Sequence, residues 1–170
     1  MLKPFKKGCV VLLVILFMLE MRFVVAKEPM RIPVHPIPLE IHTKHGTVSY
    51  KVEIAFTPSQ AAAGLMYRTD FPHDRAMLFK QQKSYQSGVE QEFFMWMANT
   101  PLPLDMIFLN SEGIIVSIIE NTSPFSTKTI SSGVPAAFAL EINAGEVAEK
   151  QIQKGQRVIH PVVCGKCNKK

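Results

Sequence analysis

The chain has 170 residues, of which 47% are hydrophobic and 19% charged, a globular balance that excludes a disordered chain. Its 12 prolines against 9 glycines argue against a long helical bundle. The net charge of +5 does not point to nucleic acid, because a nucleic-acid binder carries its basic residues as a stripe on a folded face. Here Lys3, Lys6, Lys7 and Arg22 against Glu20 lie in an N-terminal leader, and Lys166, Lys169 and Lys170 lie in the last five residues.

Residues 1–26 read as a signal peptide. A basic start precedes an apolar run from Cys9 to Leu19, and Val24-Val25-Ala26 places small residues before a cut at Lys27. The run is shorter than the roughly twenty apolar residues that span a bilayer. Cleaved export is therefore expected, with an uncleaved anchor as the alternative. Cys9 follows Lys7-Gly8 and has no lipobox around it. The expected location is periplasmic or secreted, and the membrane is met only through the leader if it is retained. Pro29, Pro33, Pro36 and Pro38 then make residues 27–38 a solvated Pro-rich arm.

One domain follows, over residues 39–163. Leu39 to Thr43 and Val48 to Phe56 form a hairpin around Lys44-His45-Gly46, and the second strand alternates apolar and polar residues with period two. Thr57-Pro58-Ser59-Gln60 is a helix start with a capping box, and the helix runs towards Met66 or Tyr67. Ala76 to Phe79 is a short strand, and the polar stretch Lys80 to Glu92 is a surface loop or lid. Phe93 to Met97 and Leu104 to Leu109 read as strands buried on both faces. Asn110-Ser111-Glu112-Gly113 turns the chain into a return strand, Ile114 to Ile119. Ser123 to Ser132 is a second polar loop, Ala136 to Ile142 a strand, Gly145 to Lys154 a helical turn, and Arg157 to Val163 the last strand. Seven or eight short strands and one short helix predict a mainly β fold, a compact antiparallel sandwich or barrel. Residues 164–170 are a Cys- and Lys-rich tail.

Asp105 lies in the apolar strand Leu104 to Leu109, where a carboxylate needs a partner. Arg68 or the Asn99-Thr100 loop can supply one. Asp105 then either locks a turn or serves a site. Glu141, in Phe138-Ala139-Leu140-Glu141-Ile142, faces water or converges with Asp105 as an acid–base pair. Met66, Met77, Met95, Met97 and Met106 suit core packing better than copper(I) ligation. Cys164-Gly165-Lys166-Cys167 is a CxxC with no room for a following helix, so in an exported chain it reads as a small disulfide between Cys164 and Cys167. With His160 it supplies only three metal ligands where a structural zinc site takes four. No GxSxG, HExxH, SxxK, P-loop or dinucleotide fingerprint is present.

Several segments together carry a family resemblance. They are Gly64-Leu65-Met66-Tyr67-Arg68, Met77-Leu78-Phe79, Trp96-Met97-Ala98-Asn99-Thr100, Pro103-Leu104-Asp105-Met106-Ile107-Phe108, Leu140-Glu141 with Ala144-Gly145, and Gly155. In that order and spacing, from about residue 39 to 163, the chain resembles the bacterial and archaeal family called domain of unknown function 192. The resemblance implies a small, often exported β-sandwich or barrel with one helix and no established activity. It also implies recurrent polar positions at Arg68, Asn99, Asp105 and Glu141. The chain departs from the pattern at Ala76, where glycine is usual, at Ala98, where lysine is usual, and at Gln156, where aspartate is usual.

Two classes of function follow. One is a small-ligand-binding or structural module of the cell envelope, with a pocket near Trp96, Arg68, Asn99 and Asp105 and no cofactor. The other is a hydrolase or lyase using Asp105 and Glu141. Metal handling through the methionines or the CxxC tail is a weaker third. The expected partner is a small molecule rather than nucleic acid, and the expected state is a monomer or weak oligomer.

Overall fold

The computed structural model describes residues 27–81 and 91–165. The leader, most of the predicted lid and Cys167 lie outside the described residues. The strands are β1 (Leu39–Thr43), β2 (Gly46–Ala55), β3 (Arg75–Lys80), β4 (Glu92–Met95), β5 (Leu104–Leu109), β6 (Ile115–Ile119), β7 (Ile130–Pro135), β8 (Phe138–Asn143) and β9 (Arg157–Ile159). Three short helices join them: α1 (Pro58–Ala63), α2 (Glu146–Glu149) and α3 (Pro161–Cys164). Seven strands form one sheet in the order β6-β5-β8-β3-β2-β1-β9, and β4 pairs with β7 in a separate two-stranded sheet.

The large sheet nearly closes into a barrel. Ile114, just ahead of β6, bridges Arg157 of β9. Ile115 N donates to Gln156 O over 2.9 Å, and Val158 N donates to Gly113 O over 2.8 Å. Gly113 has φ +79, and a Cβ built on it would stand 2.6 Å from Val158 O. Only glycine fits a seam this close.

One pairing departs from the antiparallel expectation. β2 and β3 run parallel, and parallel neighbours need a crossover connection. α1 sits in that crossover. Its predicted capping box is present: Gln60 N donates to Thr57 Oγ1, and the Gln60 side chain accepts from Thr57 N. The helix stops at Ala63 rather than running to Met66, because Gly64 turns the backbone to φ +46 against the ring of Phe79.

Two apolar clusters share the sheet. The inner one is built from one set of alternating residues, including Tyr50, Val52, Leu78, Ile107, Leu140 and Val158. The outer one uses the opposite set, including Met77, Phe79, Met106, Phe108 and Ala139, and is covered by Leu65 and by Phe93 and Met95 of β4. This second layer explains why β5 is buried at every position.

Four local readings are corrected. β7 begins inside the predicted polar loop, with its first three residues there, because its Ser-Gly-rich sequence is held by pairing with β4 and not by an apolar pattern. The last strand ends at Ile159, where His160 caps α3 and Pro161 takes its first position. β4 is not buried on both faces and ends at Met95: Phe94 is 54% exposed, and Trp96, just past the strand, 46%. Residues 27–38 are not a free arm, since Ile32 joins the outer cluster, Val34 bridges Glu53 and His35 N donates to Val52 O.

A cleft over a buried carboxyl: candidate functional site

Along β8, Phe138, Leu140 and Ile142 enter the inner cluster. Alternation therefore turns Ala139 and Glu141 to the outer face. Glu141 is aligned with Met77 on one neighbouring strand and Met106 on the other. It is 4% exposed, and its Oε2 is buried with no hydrogen-bond partner among the described residues. Burial pushes its pKa up to about 8, against a smaller opposing pull from Arg68. At neutral pH the carboxyl is held mainly in its protonated form.

Above Glu141 lies a cleft of about 360 Å³. Its walls are α1 and Gly64-Leu65 on one side and Phe93 to Trp96 on the other, with Phe79 and Thr100 completing it. α1 brings Pro58 and the small residues Ala61 to Ala63 to it. This leaves open the space that β4 then edges with aromatic rings.

A second group lies farther along the same face of the sheet. Glu53 of β2 is aligned with Met77, which is aligned with Glu141, so the two carboxyls stand two strands apart. Arg68 holds Glu53 bidentately, at 2.9 and 2.6 Å, and also donates to Met30 O over 3.0 Å. Arg75 reaches Glu53 at 3.4 Å. A polar cavity of about 280 Å³ borders this group. Glu53 was missed in the sequence because it falls on the polar side of an alternating strand. The available signal is the break in alternation at the adjacent apolar pair Ile54-Ala55, both of which are buried, one on each face.

Asp105 lies elsewhere. It is fully buried on the inner face, where Oδ1 accepts from Asn121 N over 2.8 Å and Oδ2 from Val147 N over 3.0 Å. Its partners are backbone donors of a turn and of α2, not Arg68. Asp105 and Glu141 project from opposite faces of the sheet, so the structure does not bring this pair together for acid–base work. Trp96 lines the Glu141 cleft, and Arg68 stands close enough to bias Glu141 electrostatically. Asn99 has φ +57 and contributes backbone: its carbonyl accepts from Tyr67 N over 2.7 Å, tying the turn after β4 to the one after α1.

Another buried carboxylate, Glu146, escaped the sequence reading too. It accepts from Tyr50 Oη over 2.7 Å and contacts His73 Nδ1 and Lys150 Nζ. This network is satisfied within the protein. Met77, Met97 and Met106 are fully buried in the outer cluster, as gap-filling thioethers are. Cys164 is held in a disulfide. His160 accepts from Val162 N at Nδ1, while Nε2 lies 3.2 Å from both His35 Nδ1 and Ile37 O. Burial lowers its pKa, which favours the neutral ring. Among the described residues, no three His, Cys, Asp or Glu side chains group as metal ligands.

No curated protein matches the chain. Two crystal structures resemble it. One is a "putative transcription regulator" from Sinorhizobium meliloti 1021, 38% identical, with a TM-score of 0.67 over 76% of this chain and 97% of that one. The other is a protein of unknown function from Novosphingobium aromaticivorans DSM 12444, 28% identical, with a TM-score of 0.67 over 78% of this chain and 95% of that one. Residues 40–160 match the family model DUF192, described as "Uncharacterized ACR", and the chain belongs to that family.

Proposed function

We propose that the protein is a binding module that takes a small, largely apolar ligand into the cleft between α1, β3 and β4, with Glu141 as its polar contact. One observation carries the reading: the buried Glu141 Oε2 has no partner among the described residues and stands at the base of an apolar cleft. An unsatisfied buried polar atom costs roughly 1–3 kcal/mol, and a ligand atom that bonds to it removes that penalty. Apolar walls with a few polar contacts are the usual make-up of a small-molecule site. The binding reading is favoured over the hydrolase or lyase reading because the Asp105 carboxyl is already committed to two backbone donors on the other face. The signal-peptide pattern of residues 1–26 supports a periplasmic or secreted location for this module; N-terminal sequencing of fractionated protein checks that reading, and an intact leader in the cytoplasm rejects it.

Trp96 is the single tryptophan of the chain and lines the cleft, so its emission reports on occupancy. Titration with benzyl and hexyl compounds bearing an alcohol, amide, amine or carboxylate is expected to give saturable changes with at least one head group. Filling the cleft with Ala62→Phe is expected to abolish them. If no compound in the panel perturbs Trp96, the reading is rejected.

A further inference from the structure

We propose that the ligand class of this cleft is an organic cation, an amine or alkylammonium group, received by Glu141 among aromatic rings. The inference rests on the reading of the cleft as a ligand site and names the ligand's charge.

Three features of the lining argue for a cation. Phe79, Phe93, Phe94 and Trp96 all border the cleft, and the negative faces of such rings attract ammonium groups, most strongly where water is excluded. The carboxyl at its base has an oxygen with no partner among the described residues. The charges facing Glu141 are otherwise sparse or matched. α1 carries no charged residue, and the aligned β5 residue is Met106. Arg68 is ion-paired with Glu53 and exerts only the smaller opposing pull on Glu141. At the rim, Glu92 of β4 adds a second carboxylate, and Lys80 of β3 lies over the Phe138 ring. An anionic ligand would meet the carboxyl of Glu141 at the base and Glu92 at the rim against Lys80 alone, which has no carboxylate partner among the described residues, whereas a cationic one completes the unmatched group at the base.

The proton balance makes the proposal testable. A protonated Glu141 must release its proton to pair with a permanent cation, so binding is opposed by acid and relieved as the carboxyl ionises. A ligand that only accepts a hydrogen bond from the neutral carboxyl shows the reverse trend. Choline and its neutral carbon isostere 3,3-dimethylbutan-1-ol separate the two cases, because neither titrates and they share a shape.

Titrated through Trp96 emission, choline affinity is expected to rise about tenfold per pH unit below pH 8 and to level off above it. The isostere is expected to show no such rise. Glu141→Gln should weaken choline more than tenfold and remove its pH dependence, while leaving the isostere within about twofold. Phe94→Leu, at an exposed position the fold tolerates, should weaken choline more than the isostere. If the isostere binds as tightly as choline at pH 9, or Glu141→Gln keeps choline affinity, the cation proposal falls while the cleft reading stands. If neither probe nor the benzyl and hexyl panel perturbs Trp96, both fall.

Discussion

Asp105 and Glu141 are buried carboxyls on adjacent strands, one step apart in register. Their surroundings give them opposite characters. Asp105 faces the barrel interior and spends both oxygens on backbone N–H groups. Glu141 faces the outer layer, where its Oε2 finds no partner among the described residues and its ionisation is delayed to about pH 8. Burial alone therefore does not identify a functional carboxyl. The difference is whether the fold supplies donors, and it supplies them to Asp105 because a turn and the start of α2 converge at that end of the barrel.

The largest expected effect tests the structural half of this contrast. Asp105→Ala leaves the Asn121 and Val147 N–H groups without acceptors and opens a small cavity. A loss of about 3–5 kcal/mol is expected by chemical denaturation. A loss below about 1 kcal/mol would show that the two bonds are not the anchor described here.

Next in size is the pH response of Glu141. Its folded pKa, about 8, lies above the reference value of 4.5. Between these values the folded state holds a proton that the unfolded chain has released. This contribution to stability is therefore fully present below about pH 4.5 and is lost as pH rises towards 8. Relative to Glu141→Gln, the natural protein is expected to lose up to about 1.4 kcal/mol per pH unit across this window. Parallel stability curves for the two proteins from pH 5 to 8 would contradict the delayed ionisation.

Two smaller effects separate the barrel from the cleft. Gly113→Ala forces a methyl against Val158 O at the seam and should cost about 2 kcal/mol. Ligand response at the cleft should survive it under conditions where the variant is folded. Thr57→Ala removes the cap of α1 and should cost only about 1 kcal/mol. Because α1 is a wall of the cleft, the same change should weaken ligand response out of proportion to its effect on stability. Equal effects of both substitutions on binding would blur the division.

Much of the chain was legible from local pattern. The β1–β2 hairpin, the α1 cap and the β5–β6 hairpin follow from alternation, capping and turn chemistry, which act over a few residues. The readings that failed depend on distant partners. β7 has no apolar periodicity and exists through β4. Phe94 and Trp96 look like core residues beside Phe93 and Met95, yet only one face of β4 has a layer beneath it. Arg68 was expected as a candidate partner of Asp105, but it pairs with Glu53, on a strand whose alternation suggested solvent.

The amino-acid sequence by itself determined the β-rich class, the family, the elements with strong local signals and the candidacy of Asp105 and Glu141, but not that of Glu53 or Glu146. It could do so because periodicity, caps and turns are properties of neighbours along the chain. Tertiary structure alone decided which carboxyl is satisfied and which is left open. Hydrogen-bond partners and burial on a sheet's second face come from segments remote in sequence: Val147 for Asp105, the arm and Arg68 for Glu53, and, for Glu141, an apolar wall with no donor to its Oε2 among the described residues.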